Sequence, residues 1–207
     1  MGGFAADGRA RTPNLDGLAR RGVTFENAYT NSPLCVPSRL SLTSGKYIHR
    51  VGAWSNNTWL PSDDYPSIAR VMSRAGYDSL LCGKMHYDRT RRYGFTEIGG
   101  NMNQHRKTGH GGRRTPGDLT PRPGISNRFD NFHTGQDSGV LSHDRRVTEG
   151  VTSFLQDRNV RDNPFFLIAG YLAPHFPLIV PRRYYRHFKG EIPRPHIPAG
   201  HLDSLPL

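Results

Sequence analysis

The densest chemical signal in the chain is Cys35-Val36-Pro37-Ser38-Arg39, followed by Leu40-Ser41-Leu42-Thr43-Ser44-Gly45-Lys46. A short helix read from Pro37 to Ser44 and closed by Gly45 places Cys35 beside its N-terminus. Unpaired N–H groups and the helix dipole favour an anion there, and Arg39 adds a planar cationic fork. A nucleophile with an oxyanion partner suits that arrangement. A lone cysteine ahead of a helix is also commonly a small buried hydrophobe, so the residues alone leave both readings of Cys35 open. Lys46 closely follows this stretch and suits a site position or a surface position equally, and the histidines show no zinc-finger spacing.

These residues must be positioned by elements legible in the pattern. Thr12-Pro13 opens a helix with Leu15, Leu18 and Ala19 on one face, and Arg20-Arg21-Gly22 ends it. Val23-Thr24-Phe25 alternates as a short strand does. Residues 66–75 predict a helix with Ile68, Val71, Met72 and Ala75 on one face, and residues 77–82 an apolar strand. Val147, Val151, Phe154 and Leu155 mark a helix over 144–156. Phe165-Phe166-Leu167-Ile168-Ala169 then reads as a parallel strand buried on both faces. Helix and strand alternate, which predicts an α/β fold with a mostly parallel sheet flanked by helices.

Between these elements, residues 101–128 hold six Lys and Arg against one acid, Asp118, and no Phe, Trp or Tyr. Such a stretch offers little apolar surface to offset its ordering entropy, so a long basic, mobile loop is expected over 101–139. From Arg182 onward the chain is rich in Pro and His without helical period, and residues 186–207 are expected to be an irregular tail. The 207 residues fit one domain, and the 28 Lys and Arg against 17 Asp and Glu give a net charge of +11. That charge suits anionic substrates or partners. Two cysteines, Cys35 and Cys82, exclude a small disulfide scaffold. The apolar run at 165–173 is too short to span a bilayer, and no signal peptide is read at the start. A cytoplasmic protein without a membrane partner is therefore expected.

C-x-P-S-R followed by a Ser/Thr-Gly pair resembles the sulfatase signature. Further elements extend the resemblance: Thr12-Pro13-Asn14-Leu15-Asp16, then Gly22-Val23-Thr24-Phe25 and Ala28-Tyr29 upstream of the signature. Gly83-Lys84-Met85-His86 is similar to the family's G-K-x-H element, in its choline-sulfatase-like form. Ala173-Pro174-His175-Phe176-Pro177 is similar to its P-H-x-P element. The elements stand in family order from residue 12 to about 185. They imply a partial alkaline-phosphatase-like fold over 1–207.

The resemblance also implies chemistry, residue by residue. Cys35 would be oxidised by a formylglycine-generating enzyme to an aldehyde that hydrates. One hydroxyl would attack sulfur, the alcohol would leave, and the second hydroxyl, once deprotonated, would expel sulfate. Arg39 would hold the diol, Lys84 would bind sulfate oxygens, His86 would deprotonate the diol, and His175 would contact sulfate or act as general acid. Histidine titrates near working pH and lysine supplies a fixed cation, so each type suits its task.

The family also implies a calcium ion, with formylglycine at position 35 as one ligand beside Asp and Asn side chains. A consecutive acidic pair on a first strand and a later Asp-Asn or Asp-His strand supply those ligands in the family. Neither is found here: only Asp7 precedes Thr12, and Asp203 lies in the wrong context. The expectation is a sulfatase catalytic portion truncated at both ends and inactive as this chain. Its substrate would be a small sulfate ester. Two other functions compete: a phosphonate monoester or phosphodiester hydrolase of the same superfamily, and a non-catalytic fragment that binds polyanions. No nucleic-acid motif interleaves aromatic and basic residues, so no specific nucleic-acid partner is expected.

Overall fold

The computed structural model describes residues 11–100, 132–190 and 198–201. Helix α1 (Pro13–Arg21) carries Pro13 in its first turn. Thr12 precedes it, but its hydroxyl donates to Asp16 Oδ1 at 2.9 Å and does not cap a backbone N–H. Helix α2 (Cys35–Ser44) closes on Gly45 at φ 66°, a left-handed conformation that glycine adopts without a Cβ clash. A single turn, α3 (Ile48–Val51), follows. Helix α4 (Ile68–Arg74) is capped by Ser67, whose hydroxyl accepts the Arg70 N–H. Next come β1 (Asp78–Gly83), β2 (Thr96–Glu97) and β3 (His133–Thr134). Helix α5 (Gly139–Asp157) is capped by Ser138 and leads to β4 (Phe165–Gly170), β5 (Ile179–Val180) and α6 (Arg182–Phe188).

The strands form a three-stranded sheet of order β2-β1-β4 and a separate pair, β3-β5. All three pairings are parallel: α5 lies between β1 and β4 and between β3 and β5, while β1 reaches β2 through a connection without a helix. β1 and β4 run in unbroken register from Asp78↔Phe165 to Gly83↔Gly170. Successive side chains of a strand point to opposite faces, and the core divides accordingly. Leu81 packs with Val36, Leu40 and Ala69 from α2 and α4, together with Tyr87, Tyr93 and Phe95. Cys82, the next residue, packs on the other face with Val147 and Val151 of α5. β4 repeats the alternation: Phe166 and Ile168 face the first cluster, Leu167 the second. The sheet is therefore a layer between α2/α4 and α5, the expected α/β architecture.

Four sequence expectations are corrected. Residues 23–25 form no strand: Val23 and Phe25 are 81% and 79% exposed. A strand is stabilised by a neighbouring ladder, and no described strand lies beside this segment. β4 is parallel as predicted, yet it is not buried on both faces, because Phe165 and Ala169 are exposed. Helix α6 occupies a region expected to be irregular, and none of its residues is buried, so it has no apolar stripe to betray its period. In the 101–139 stretch, residues 101–131 lie outside the described residues, while His133–Thr134 forms β3 and Gly139 opens α5. Of the proposed tail, residues 191–197 and 202–207 also lie outside the described residues. No described helix is long and apolar enough to cross a membrane.

Candidate active site

Cys35 is the first residue of α2, half-buried, with a free thiol. It lies in a cleft of about 370 Å³ lined by Pro33, Leu34, Cys35, Ser38, Arg39 and Leu42. The helix begins two residues earlier than the sequence suggests, and this changes how an anion would be held. The Val36 N–H donates to Asn56 Oδ1 at 2.9 Å, Pro37 has no N–H, and the Ser38 N–H donates to Leu34 O at 2.9 Å. These backbone groups are already committed or absent. Charge recognition therefore falls to side chains.

Arg39, one turn along α2, projects from the same helix and is partly buried. Its Nη1 donates to Lys84 O at 3.1 Å and lies 3.7 Å from Met85 Sδ. Burial lowers the Arg39 pKa, and interaction with Cys35 and Tyr87 opposes that shift. Burial likewise lowers the Lys84 pKa; Cys35 raises it, and Arg39 lowers it further. Two partly desolvated cations thus act on the thiol electrostatically, one of them lining its cleft and joined to the other by the Arg39 contact with Lys84 O. An anion between them would relieve both their desolvation and their mutual repulsion.

Lys84 is placed by an unusually close approach of two strand ends. Its N–H donates to Gly170 O at 2.7 Å. A Cβ at Gly170 would stand 2.6 Å from Lys84 N, and one at Gly83 would stand 2.6 Å from Val147 Cγ2. Gly83 also takes φ 96°, where a side chain would be strained. Beyond β1, half-buried Lys84 and His86 alternate with Met85 and Tyr87, which are 1% and 0% exposed. His86 adopts φ 61°, the left-handed region that a non-glycine residue rarely occupies.

Tyr87 fastens this segment to α2. Its hydroxyl lies 2.5 Å from Thr43 Oγ1, which donates to Arg39 O at 2.8 Å. Because the Thr43 proton goes to that carbonyl, the Tyr87 O–H is the donor to Thr43. Burial raises the Tyr87 pKa, so the phenol keeps that proton. His175 reaches the same sheet edge from the loop after β4. It is exposed, its Nδ1 lies 2.9 Å from Phe176 O, and no hydrogen bond or ion pair joins it to Cys35, Arg39 or Lys84. A carbonyl can only accept, so Nδ1 carries a proton and Nε2 is left for a ligand.

The structure thus gathers Cys35, Arg39 and Lys84, sets His86 two residues further on, and carries His175 on the adjoining loop. Asn56, Thr43 and Tyr87 were missed. The contact of Asn56 with Val36 spans 20 residues. Cys82, the other cysteine, is buried, its thiol lies 3.6 Å from Val147 O, and burial raises its pKa. Lys46 is a surface residue with its ammonium 3.2 Å from the Tyr65 hydroxyl. The donor set does not fit a calcium ion: no three described His, Cys, Asp or Glu side chains converge, and Cys35 has cations for neighbours.

Known proteins bear on this geometry. An ulvan-active sulfatase from Formosa agariphila is 29% identical over 179 residues, covering 84% of this chain and 33% of its own length. An arylsulfatase from Clostridium perfringens is 31% identical over 212 residues, covering 89% of this chain and 42% of its own length. The chain thus spans well under half the length of these relatives. A protein solved in complex with its substrate, D-glucosamine-2-N,6-O-disulfate, superposes at TM-score 0.61 and 22% identity, over 90% of this chain and 34% of the other. The phosphonate monoester hydrolase of Agrobacterium radiobacter superposes at TM-score 0.59 and 21% identity, over 86% and 39%. Both share the alkaline-phosphatase-like fold. The sulfatase family model matches residues 2–197, and with the signature, the two strand-end motifs and the parallel α/β sheet in place, the chain belongs to the sulfatase family.

Proposed function

We propose that this chain carries the nucleophile side of a site that hydrolyses a small sulfate monoester, with residue 35 acting as formylglycine made from Cys35. The observation that supports this reading is Arg39, which lines the cleft of Cys35 and donates through Nη1 to the carbonyl of half-buried Lys84. Once formed, the modified residue would supply a hydrated aldehyde, with one hydroxyl as the nucleophile that displaces the alcohol from sulfur and the other to release the sulfate. Arg39, anchored on Lys84 O, holds the anionic group at position 35 and offers its remaining N–H donors. Lys84 neutralises sulfate oxygens, where partial desolvation strengthens the attraction. His86 takes the proton from the group at position 35. His175 directs Nε2 chemistry from the neighbouring loop, contacting sulfate or protonating the leaving oxygen. The cleft of about 370 Å³ fits a small ester.

The test begins with the chain co-produced with a formylglycine-generating enzyme. Mass spectrometry of the peptide bearing residue 35 should show the aldehyde. Inorganic sulfate should bind, and Lys84→Ala should weaken it about tenfold, the loss expected for one charge-assisted contact. Turnover of a sulfate monoester beside a phosphonate monoester then identifies the reacting centre. An unmodified Cys35 together with sulfate binding indifferent to Lys84→Ala would end this reading.

A further inference from the structure

We propose that Asp144, on α5, is the positioning residue for His175. Its carboxylate grips the loop that follows β4 with both oxygens: Oδ1 accepts the Leu172 N–H at 2.7 Å and Oδ2 accepts the Ala173 N–H at 3.0 Å. His143 Nδ1 lies 3.1 Å from Oδ1, and the side chains of His143 and Asp144 are only 12% and 17% exposed. One helical turn on, Thr148 Oγ1 donates to Asp144 O at 2.9 Å and lies 3.2 Å from the Tyr171 hydroxyl. Three consecutive loop residues, 171 to 173, are therefore held by one face of α5.

The need for this grip follows from the strand's end. β4 stops at Gly170, so the next N–H groups have no ladder to join and require another acceptor. Asp144 meets that need with the two oxygens of its carboxylate, one for each N–H, largely shielded from water. The geometry passes directly to the histidine. The His175 N–H donates to Leu172 O at 2.9 Å, closing the turn, and His175 Nδ1 then meets Phe176 O. Asp144 thus fixes the frame in which Nδ1 is protonated and Nε2 is left for a ligand. The residue touches no reacting atom. Its role in a sulfatase site rests on the function proposed above for His175, but its hold on the loop does not.

The experiment is NMR on the isotopically labelled chain. In the wild type, the Leu172 and Ala173 amides should exchange slowly although neither belongs to a strand, and the His175 ring nitrogens should report the Nδ1–H tautomer. Asp144→Asn replaces one acceptor oxygen with an N–H₂ donor facing an N–H. It should accelerate exchange of those two amides about tenfold or more and shift His175 toward the Nε2–H tautomer, while Ile168 and Val147 amides keep their protection. Tyr171→Phe removes the Thr148 contact but leaves both Asp144 acceptors in place, and should leave the tautomer unchanged. Fast exchange at Leu172 and Ala173 in the wild type overturns the proposal, as does an unchanged His175 tautomer in Asp144→Asn. The wild-type measurement decides even if the variant does not fold. None of these readouts requires turnover, so the positioning role can hold for a chain that hydrolyses nothing.

Discussion

The edge where β1 and β4 end and the stretch from α1 to residue 34 handle similar apolar residues in opposite ways. At the sheet edge, Leu81, Cys82, Met85 and Tyr87 are at most 1% exposed. Before α2, Leu18, Phe25 and Tyr29 stand 62%, 79% and 91% exposed. Both stretches carry residues of the family resemblance, so the motif alone does not determine packing. Packing comes from the partner layer: β1 has helices against both faces, while α1 buries none of its own residues. The first region can therefore hold partly desolvated cations in fixed geometry. The second is a surface.

Paired substitutions sharpen that contrast, the largest effect first. Leu81→Ala should cost about 2–5 kcal/mol, because it empties a site between helix layers, whereas Leu18→Ala on α1 should change stability by less than about 0.5 kcal/mol. Chemical unfolding of both variants checks this, and equal losses would erase the distinction. Gly170→Ala drives a Cβ into the Lys84 backbone and should destabilise by about 1–3 kcal/mol. Gly17→Ala in α1 should have the opposite sign, stabilising by up to about 1 kcal/mol, since its nearest outside atom is the mobile end of Arg20 at 3.6 Å. The smallest effect concerns protonation. Lys84 holds its proton less tightly than an ordinary lysine, whose pKa is 10.5, so sulfate binding should fall as pH rises, starting below that value. Calorimetric titration with sulfate at increasing pH reads it, and a pH-independent affinity would mean that Lys84 does not bear the anion.

Much of the fold was legible because burial leaves a period. The apolar positions of α4, α5 and β1 are spaced by the elements that bury them, and Gly45 and Gly76 end their segments with positive φ. Helix α6 was not legible because it buries nothing, and residues 23–25 misled because an alternating triplet specifies a strand only beside a ladder. In the site, Arg39 could be placed near Cys35 from helical spacing alone. The resemblance singled out Lys84, but its contact with Arg39 spans 45 residues. Asn56, Tyr87 and Asp144 were hidden for the same reason. Their partners lie 20, 44 and 28 residues away, and no local period records such a distance.

The β1–β4 ladder also sets an order of events in time. Asp78 pairs with Arg158 and Asn163 across 80 and 85 residues, and Lys84 is pinned only when Gly170 arrives. Helices α2 and α4 form from neighbours along the chain, but the ladder closes a loop whose entropy must be met before its contacts repay it. On a ribosome, Cys35 and Arg39 emerge long before the strand that fixes Lys84 beside them. The cation pair is consequently expected to form late in folding, when β4 docks on β1 and brings Gly170 to Lys84.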